Sequence, residues 1–270
     1  MFPTLIEIAG YKLPSYPVMM ALGYAAALYV IMRLCASSTL KDAHVERWQA
    51  WDLFIVMVVS SIIGAKVGHT LFEAPGHLRA DGTEIQSLSE LLREDPLHWL
   101  RLAEGGYVWY GGMIGALSCA VIYFRRRPKL DAWQYSDIFT PAIMIGAVVG
   151  RLGCFMAGCC YGEPTEVAWA VNFPTSKSPV HPTQLYDASV AAILFAVLYW
   201  KFERRTFIGQ NIALLLIGYP ILRATTEIFR GDADRGSFGQ LSTSQTLSIP
   251  LLLIGFWIYY TRQKQGATSK

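Results

Sequence analysis

Arg223, Glu227 and Arg230 are spaced i, i+4 and i+7, which on an α-helix is one face. A carboxylate one turn from a guanidinium orients it by a charge-assisted hydrogen bond, so Glu227 is placed to aim Arg223. A further arginine, Arg151, stands in GRLGCFMAGCCYG, residues 150–162, among small and apolar residues and close to Cys154, Cys159 and Cys160. Arginine suits phosphate because its planar fork presents several donors at once. Guanidiniums in two otherwise apolar runs therefore point to recognition of an anion. The bland alternatives are an ion pair at a helix end and snorkelling of a long side chain to an interface. The thiols admit packing or a structural disulfide of Cys154 with Cys159 or Cys160, a thiolate made reactive by Arg151, or metal ligation with His181 or His69. The C-x4-CC spacing lacks the C-x2-C of common thiolate sites, so no metal is expected. Cys35 and Cys119 are expected to be inert filler.

The elements that must hold these residues are membrane helices. The chain has 270 residues, 53% of them hydrophobic and only 16% charged, with a mean hydropathy of +0.32. A soluble domain carries about 25% charge. Seven apolar runs reach the roughly 20 residues needed to span a bilayer as a helix: 17–36, 51–72, 106–124, 137–157, 184–201, 208–229 and 245–261. Basic residues alternate between the connections. Arg33, Lys41 and Arg47 follow the first span, Arg125, Arg126, Arg127 and Lys129 the third, Lys201, Arg204 and Arg205 the fifth, and Arg262, Lys264 and Lys270 the last. Positive-inside bias then sets the N-terminus outside and the C-terminus in the cytoplasm. The N-terminal stretch has no basic n-region and no cleavage site, so no removable signal peptide is expected. No basic block interleaved with aromatics points to nucleic acid.

The expected architecture is an all-α polytopic membrane protein, one transmembrane domain over 1–270 with insertions at 73–105 and 158–183 forming a small outer arm and cap. In the first insertion, Ser87 and Glu90 fit a capping box, and Leu88, Leu91 and Leu92 form one stripe of an amphipathic surface helix. In the second, AWAVNFP is a short alternating run that fits a strand.

Orientation assigns a depth to every polar group in the spans. Lys66 and His69 fall in the outer part of the second span, Tyr110 at the outer end of the third, and Arg151 and Cys154 in the outer third of the fourth. His181, Gln184, Tyr186 and Asp187 stand at the mouth of the fifth, while Tyr219, Arg223, Glu227 and Arg230 approach the same surface from the sixth. Tyr16 stands just outside the first. Ionisable groups inside spans are costly and mark function or pairing. An anion site at this level meets the head group of a phospholipid. Asp137, at the inner end of the fourth span, is the exception. Gly111 and Gly112 in WYGGMIGA serve either close approach of a ligand or a tight helix contact.

At this point the motifs resemble a known family. GRLGCFMAGCCYG is similar to the GR-x-G-N-F signature of bacterial prolipoprotein diacylglyceryl transferases, and HPTQLYD, 181–187, to their HPSQLYE. GYPILRATTEIFRGDAD, 218–234, resembles GY…R-x-x-x-E-F-F-R-x-P-D, and WYGGMIG resembles HGGLIG. YSDIFTPA and LSTSQTLSIP resemble VSDFIAP and LSMGQILSIP, with the blocks in the same order. The resemblance implies seven membrane helices with a periplasmic cap in the bacterial inner membrane. The implied activity moves the diacylglyceryl group of phosphatidylglycerol onto the lipobox cysteine of a prolipoprotein signal peptide, giving a thioether and glycerol phosphate, with no cofactor. It implies that Arg151 and Arg223 grip the phosphate with Glu227 in support, and that Tyr16, Gly162, Tyr219 and Asp137 occupy positions that matter for activity.

The chain departs from that pattern at four places. The family's histidine before GG is Tyr110, its signature asparagine is Cys154, an acidic position is Cys159, and an arginine of the second span is Lys66. Loss of the histidine bears most on mechanism, because a phenol with a pKa of ~10 is a poor proton acceptor. Either His69 takes the proton, or the arginines lower the thiol pKa, or the activity has changed. The expected catalytic set is Arg151, Arg223, Glu227 and Tyr110. Tyr16, Lys66, His69, Gly111, Gly112, Cys154, Gly162, His181, Gln184, Tyr219 and Arg230 are expected to bind substrate. The alternatives are a paralogue using the same lipid pocket with another acceptor, and a non-catalytic lipid-binding protein of the envelope.

Overall fold

The computed structural model describes residues 4–8, 11–37, 45–72, 93, 107–230, 237–238 and 241–268. The capping box and leucine stripe expected within 73–105 lie outside the described residues. Two antiparallel strands, β1 (Thr4–Ile8) and β2 (Tyr11–Pro14), precede α1 (Ser15–Ala36). There follow α2 (Arg47–Phe72), α3 (Trp109–Arg126), α4 (Ala132–Ala157), α5 (Thr183–Glu203) and α6 (Gln210–Glu227). A short pair, β3 (Ser237–Phe238) and β4 (Leu241–Ser242), leads into α7 (Thr243–Thr268).

Each apolar run overlaps one of these helices, with α3 starting at Trp109 and α6 covering only Gln210–Glu227 of the runs 106–124 and 208–229. The helix ends overrun the runs where polar helix formers continue the pattern, as in the RQKQ of α7. Four helices, over Ser15–Ala36, Arg47–Leu71, Ala132–Ala157 and Thr183–Glu203, are long and apolar enough to cross a membrane. Their outward faces are apolar, with Leu22, Tyr29, Ile63, Ile193 and Trp200 all exposed. Such surface suits lipid and is unfavourable in water. The regular elements among the described residues are all helical, as expected, apart from two small hairpins. The sequence reading expects neither hairpin.

The chain divides into two compact units, residues 46–131 and residues 1–45 with 132–270. In the first, α2 and α3 pack through glycines. A methyl carbon on Gly111 would collide with the Gly64 carbonyl and stand 3.1 Å from the Gly68 Cα, and one on Gly112 would stand 3.1 Å from the Ser61 carbonyl. Close helix contact accounts for both glycines of WYGGMIGA. Arg127 closes the far end on Asp52 at 3.0 Å.

In the second unit, α1 crosses α4 where Gly23 faces Gly146. Met144, Leu194, Leu198 and Leu215 form a core joining α4, α5 and α6, with Tyr219 packed on its edge. Asp137 settles the start of α6. Gly209, the residue before that helix, has φ +93° and no side chain to cap it. Asp137 accepts hydrogen bonds from the backbone N–H of Gly209 at 2.8 Å, Asn211 at 2.9 Å and Ile212 at 3.2 Å, and Arg205 lies 3.8 Å from it. A carboxylate from α4 thus satisfies the orphan donors of another helix. This is why a buried acid stands at the opposite end of α4 from Arg151.

The segment 158–182 forms a cap with little regular structure. AWAVNFP is not a strand: a turn closes Ala170 N–H on the Val167 carbonyl at 2.9 Å, and Ser176 closes on Phe173 at 3.0 Å. Between these turns only Val171 pairs, exchanging backbone bonds with Val180 at 3.1 and 3.0 Å. Phe173 anchors the cap, stacked on Tyr161 and edge-on to Phe155.

Candidate active site

The end of α6 supplies the first cations. Arg223 and Glu227 form a 2.6 Å ion pair one helical turn apart, as their spacing predicts, and the Thr226 hydroxyl accepts from Arg223 at 3.0 Å. Arg230 lies past the last helical residue. The backbone tightens there, with Arg230 N–H on the Glu227 carbonyl at 3.0 Å, so its side chain still turns inward and is only 2% exposed. The burial removes the snorkelling alternative for Arg230.

Opposite them stands Asp187, in the second turn of α5. Its carboxylate lies 3.3 Å from Arg151 Nε, 3.6 Å from Arg230 Nη1 and 3.8 Å from Arg223 Nη1. Three guanidiniums from α4, α6 and the turn after α6 therefore converge on one oxygen pair. These contacts are longer than the 2.7–2.9 Å of a direct charge-assisted hydrogen bond. Asp187 gathers the arginines electrostatically without engaging them as Glu227 engages Arg223. Three positive groups face two negative ones, an excess of one positive charge in a largely buried setting. The sequence reading places Asp187 at the mouth of the fifth span and gives it no role. The available signal was that arginines at membrane depth require a counter-ion.

The cap is sewn to this cluster. Gly162 N–H donates to the His181 carbonyl at 2.9 Å, Glu163 N–H to the Phe229 carbonyl at 3.2 Å, and His181 N–H to the Glu163 carbonyl at 3.0 Å. A methyl carbon at Gly162 would overlap the Phe229 carbonyl and come within 2.6 Å of the Thr183 side chain. Gly162 is thereby explained by three backbones crossing. The His181 imidazole is engaged with the Tyr186 hydroxyl at 3.1 Å and packs against Phe229. Gln184, fully buried, donates to the Cys159 carbonyl at 2.6 Å. Its Oε1 is buried without a hydrogen-bond partner.

The three thiols come together. α4 ends on Gly158 at φ 74°, with Gly158 N–H on the Phe155 carbonyl at 3.2 Å and Cys159 N–H on the Cys154 carbonyl at 3.1 Å. This is the paired 5→2 and 6→1 pattern of a Schellman turn, which brings the residue after the glycine against the residue four before it. Those residues are Cys159 and Cys154. Cys160, also left-handed at φ 64°, folds back beside them, and the three sulfurs lie within 4.8 Å of one another as free thiols. Hydrogen bonds from Cys154 and Cys159, with Arg151 and Arg230 behind them, lower the Cys160 thiol from its ordinary value. Tyr16 reaches the same end of α4, its ring meeting the space over Gly153. Tyr219 is within electrostatic reach of Arg151.

Lys66, His69 and Tyr110 belong to the other unit. Lys66 and His69 are buried on α2, with the Lys66 ammonium 5.8 Å from the centre of the Tyr107 ring. Tyr110 is exposed in the first turn of α3, with Trp109 edge-on to it at 5.2 Å.

Residues 3–261 match a family model described as prolipoprotein diacylglyceryl transferase. Curated relatives carry the name phosphatidylglycerol–prolipoprotein diacylglyceryl transferase. That of Bordetella bronchiseptica is 32% identical over 262 residues, 95% of this chain and 94% of its own. That of Polynucleobacter asymbioticus is 31% identical over 267 residues, 95% and 94% of the two chains. That of Clostridium tetani is 29% identical over 264 residues, 96% and 97%.

Proposed function

Because this chain belongs to the prolipoprotein diacylglyceryl transferase family, we propose that it transfers the diacylglyceryl group of phosphatidylglycerol to the lipobox cysteine of a prolipoprotein. The convergence of Arg151, Arg223 and Arg230 on Asp187 is the observation that carries this reading. A phosphodiester bears one negative charge, which matches the cluster's excess of one positive charge. Glu227 keeps Arg223 aimed while the looser contacts to Asp187 yield donors to the phosphate.

In the reaction, the acceptor sulfur attacks the glycerol carbon that bears the phosphate. The S–C bond forms, the C–O bond breaks, and the electron pair leaves on glycerol phosphate. Guanidiniums already in place where that charge develops lower the barrier, since they need no rearrangement as the bond breaks. Holding lipid and thiol at one depth supplies proximity. The thiol must also lose its proton. Tyr110 takes the place of the family's histidine in the resemblance, and a phenol accepts protons poorly near neutral pH. With the phosphate bound the arginine cluster is electrically balanced, so its charge acts on the departing phosphate and the thiol proton goes to a separate acceptor.

The orientation follows from the basic helix ends. Arg125 and Arg126 end α3, Lys201 closes α5, and Arg262 and Lys264 lie near the end of α7. By the positive-inside bias these basic ends support a topology with the helix ends in the cytoplasm and the cap, the arginine cluster and the lipobox peptide on the periplasmic side of the inner membrane.

Complementation tests the function. A bacterium depleted of its own transferase should regain thioether-lipidated lipoproteins when this chain is expressed. Inserted, well-expressed protein that restores none would remove the reading.

A further inference from the structure

The thiol cluster has no part in the transfer chemistry just described, and its geometry has a use of its own. An ion held about 2.3 Å from each of three sulfurs sets those sulfurs about 4 Å apart. Cys154, Cys159 and Cys160 have all three sulfurs within 4.8 Å of one another. Their backbones are fixed independently of any ion. The Schellman turn holds Cys159 against Cys154, Gln184 donates to the Cys159 carbonyl at 2.6 Å, and Thr183 donates to the Cys160 carbonyl at 2.9 Å. Arg230 reaches the same Cys160 carbonyl at 3.4 Å. The ligands are thus arranged before binding, which is what distinguishes a site from three cysteines on a mobile loop.

The electrostatics also fit. Three thiolates around a divalent ion carry one net negative charge, and around a monovalent ion two. Arg151 and Arg230 both lie within electrostatic reach of the Cys160 sulfur. All-sulfur donor sets select soft d10 ions over magnesium or calcium. The imidazole of His181 is turned to Tyr186, so the described residues offer a three-sulfur set rather than a mixed one.

We propose that Cys154, Cys159 and Cys160 form a three-thiolate site for one thiophilic d10 cation, Zn2+ or Cu+, which pins the end of α4 to the start of the cap. The thiol protons leave to solvent as the ion binds. The site is independent of the transferase reading, because binding is measured without lipid or prolipoprotein.

The test uses the full chain in detergent, reduced and stripped with a chelator. It is titrated with Cd2+, read by sulfur-to-metal charge-transfer absorbance, and with Zn2+ and Cu+ in competition with chromogenic chelators. The expected result is one ion per chain, with C154S, C159S and C160S each weakening binding at least tenfold and C35A/C119A leaving it unchanged. Metal analysis of the chain as isolated, before stripping, identifies the resident ion. Should the serine variants fail to fold, X-ray absorption of the zinc-loaded chain decides. Three sulfurs at about 2.3 Å support the site, and a shell of nitrogen and oxygen overturns it. Absence of binding to the reduced chain, or binding that survives C154S, also overturns it. So does isolation of the chain with a disulfide among the three cysteines that excludes the ion.

Discussion

Arg223 is held by a 2.6 Å contact to Glu227 and by Thr226, so its guanidinium has little freedom before a ligand arrives. Removing one such preorganised charge from a reaction that expels an anion costs on the order of 10²–10³ in rate. Arg223→Ala should lose at least that much transfer in a purified assay while still inserting. A loss under tenfold would mean that the arginine does not face the phosphate. Arg223→Lys should recover only part, because an ammonium cannot replace the planar fork. Asp187→Asn is expected to behave differently: the cluster keeps its cations but loses the group that gathers them, so KM should rise more than kcat falls. The exposed Tyr110 invites the opposite kind of change. Tyr110→His restores an acceptor that titrates near pH ~6.5, and the rate profile should gain an inflection there. A profile identical to that of the parent chain would place position 110 outside the proton transfer.

At the scale of elements, the ends of α4 and α6 decide whether the arginines meet. Asp137 caps α6 from another helix and pairs with buried Arg205. Breaking a buried pair costs about 3–5 kcal/mol. Asp137→Ala should therefore lower the melting temperature and loosen α6 without touching the arginine cluster, seen as faster hydrogen exchange at the first turn of that helix. At the other end, Gly162→Ala forces a methyl carbon into the Phe229 carbonyl and the Thr183 side chain, neither of which can move without opening the cap. Stability and transfer should fall together. Normal melting with normal activity would show that the crossing of backbones is less tight than the structure has it.

At the scale of the whole molecule, the membrane reading rests on apolar outward faces and on basic helix ends, and its topology is directly measurable. A cysteine placed at exposed Lys177 in the cap should react with an impermeant maleimide on intact spheroplasts, in a background lacking the natural thiols. One placed at exposed Gln265 near the end of α7 should react only after permeabilisation. The reverse pattern would put the arginine cluster on the cytoplasmic side, where a lipobox peptide that has been exported cannot reach it.

What the sequence determined by itself is whatever depends on neighbours along the chain. Apolar run length marks the helices, the Lys and Arg content of the connections argues a direction, and i, i+4 spacing pairs Glu227 with Arg223. Each is local, because a helix brings its own third and fourth neighbours together whatever surrounds it. Only the tertiary structure decided the rest. Asp187 meets three guanidiniums, Asp137 caps a helix more than 70 residues away in sequence, and Gly162 sits where three backbones cross. These contacts depend on how α4, α5 and α6 pack, and no spacing along one helix encodes that. The thiol cluster lies between the two cases. The glycine that ends α4 stands at the right distance from both Cys154 and Cys159, but their meeting depends on the left-handed turn at Gly158 and on Gln184 and Thr183, which hold the returning chain in place.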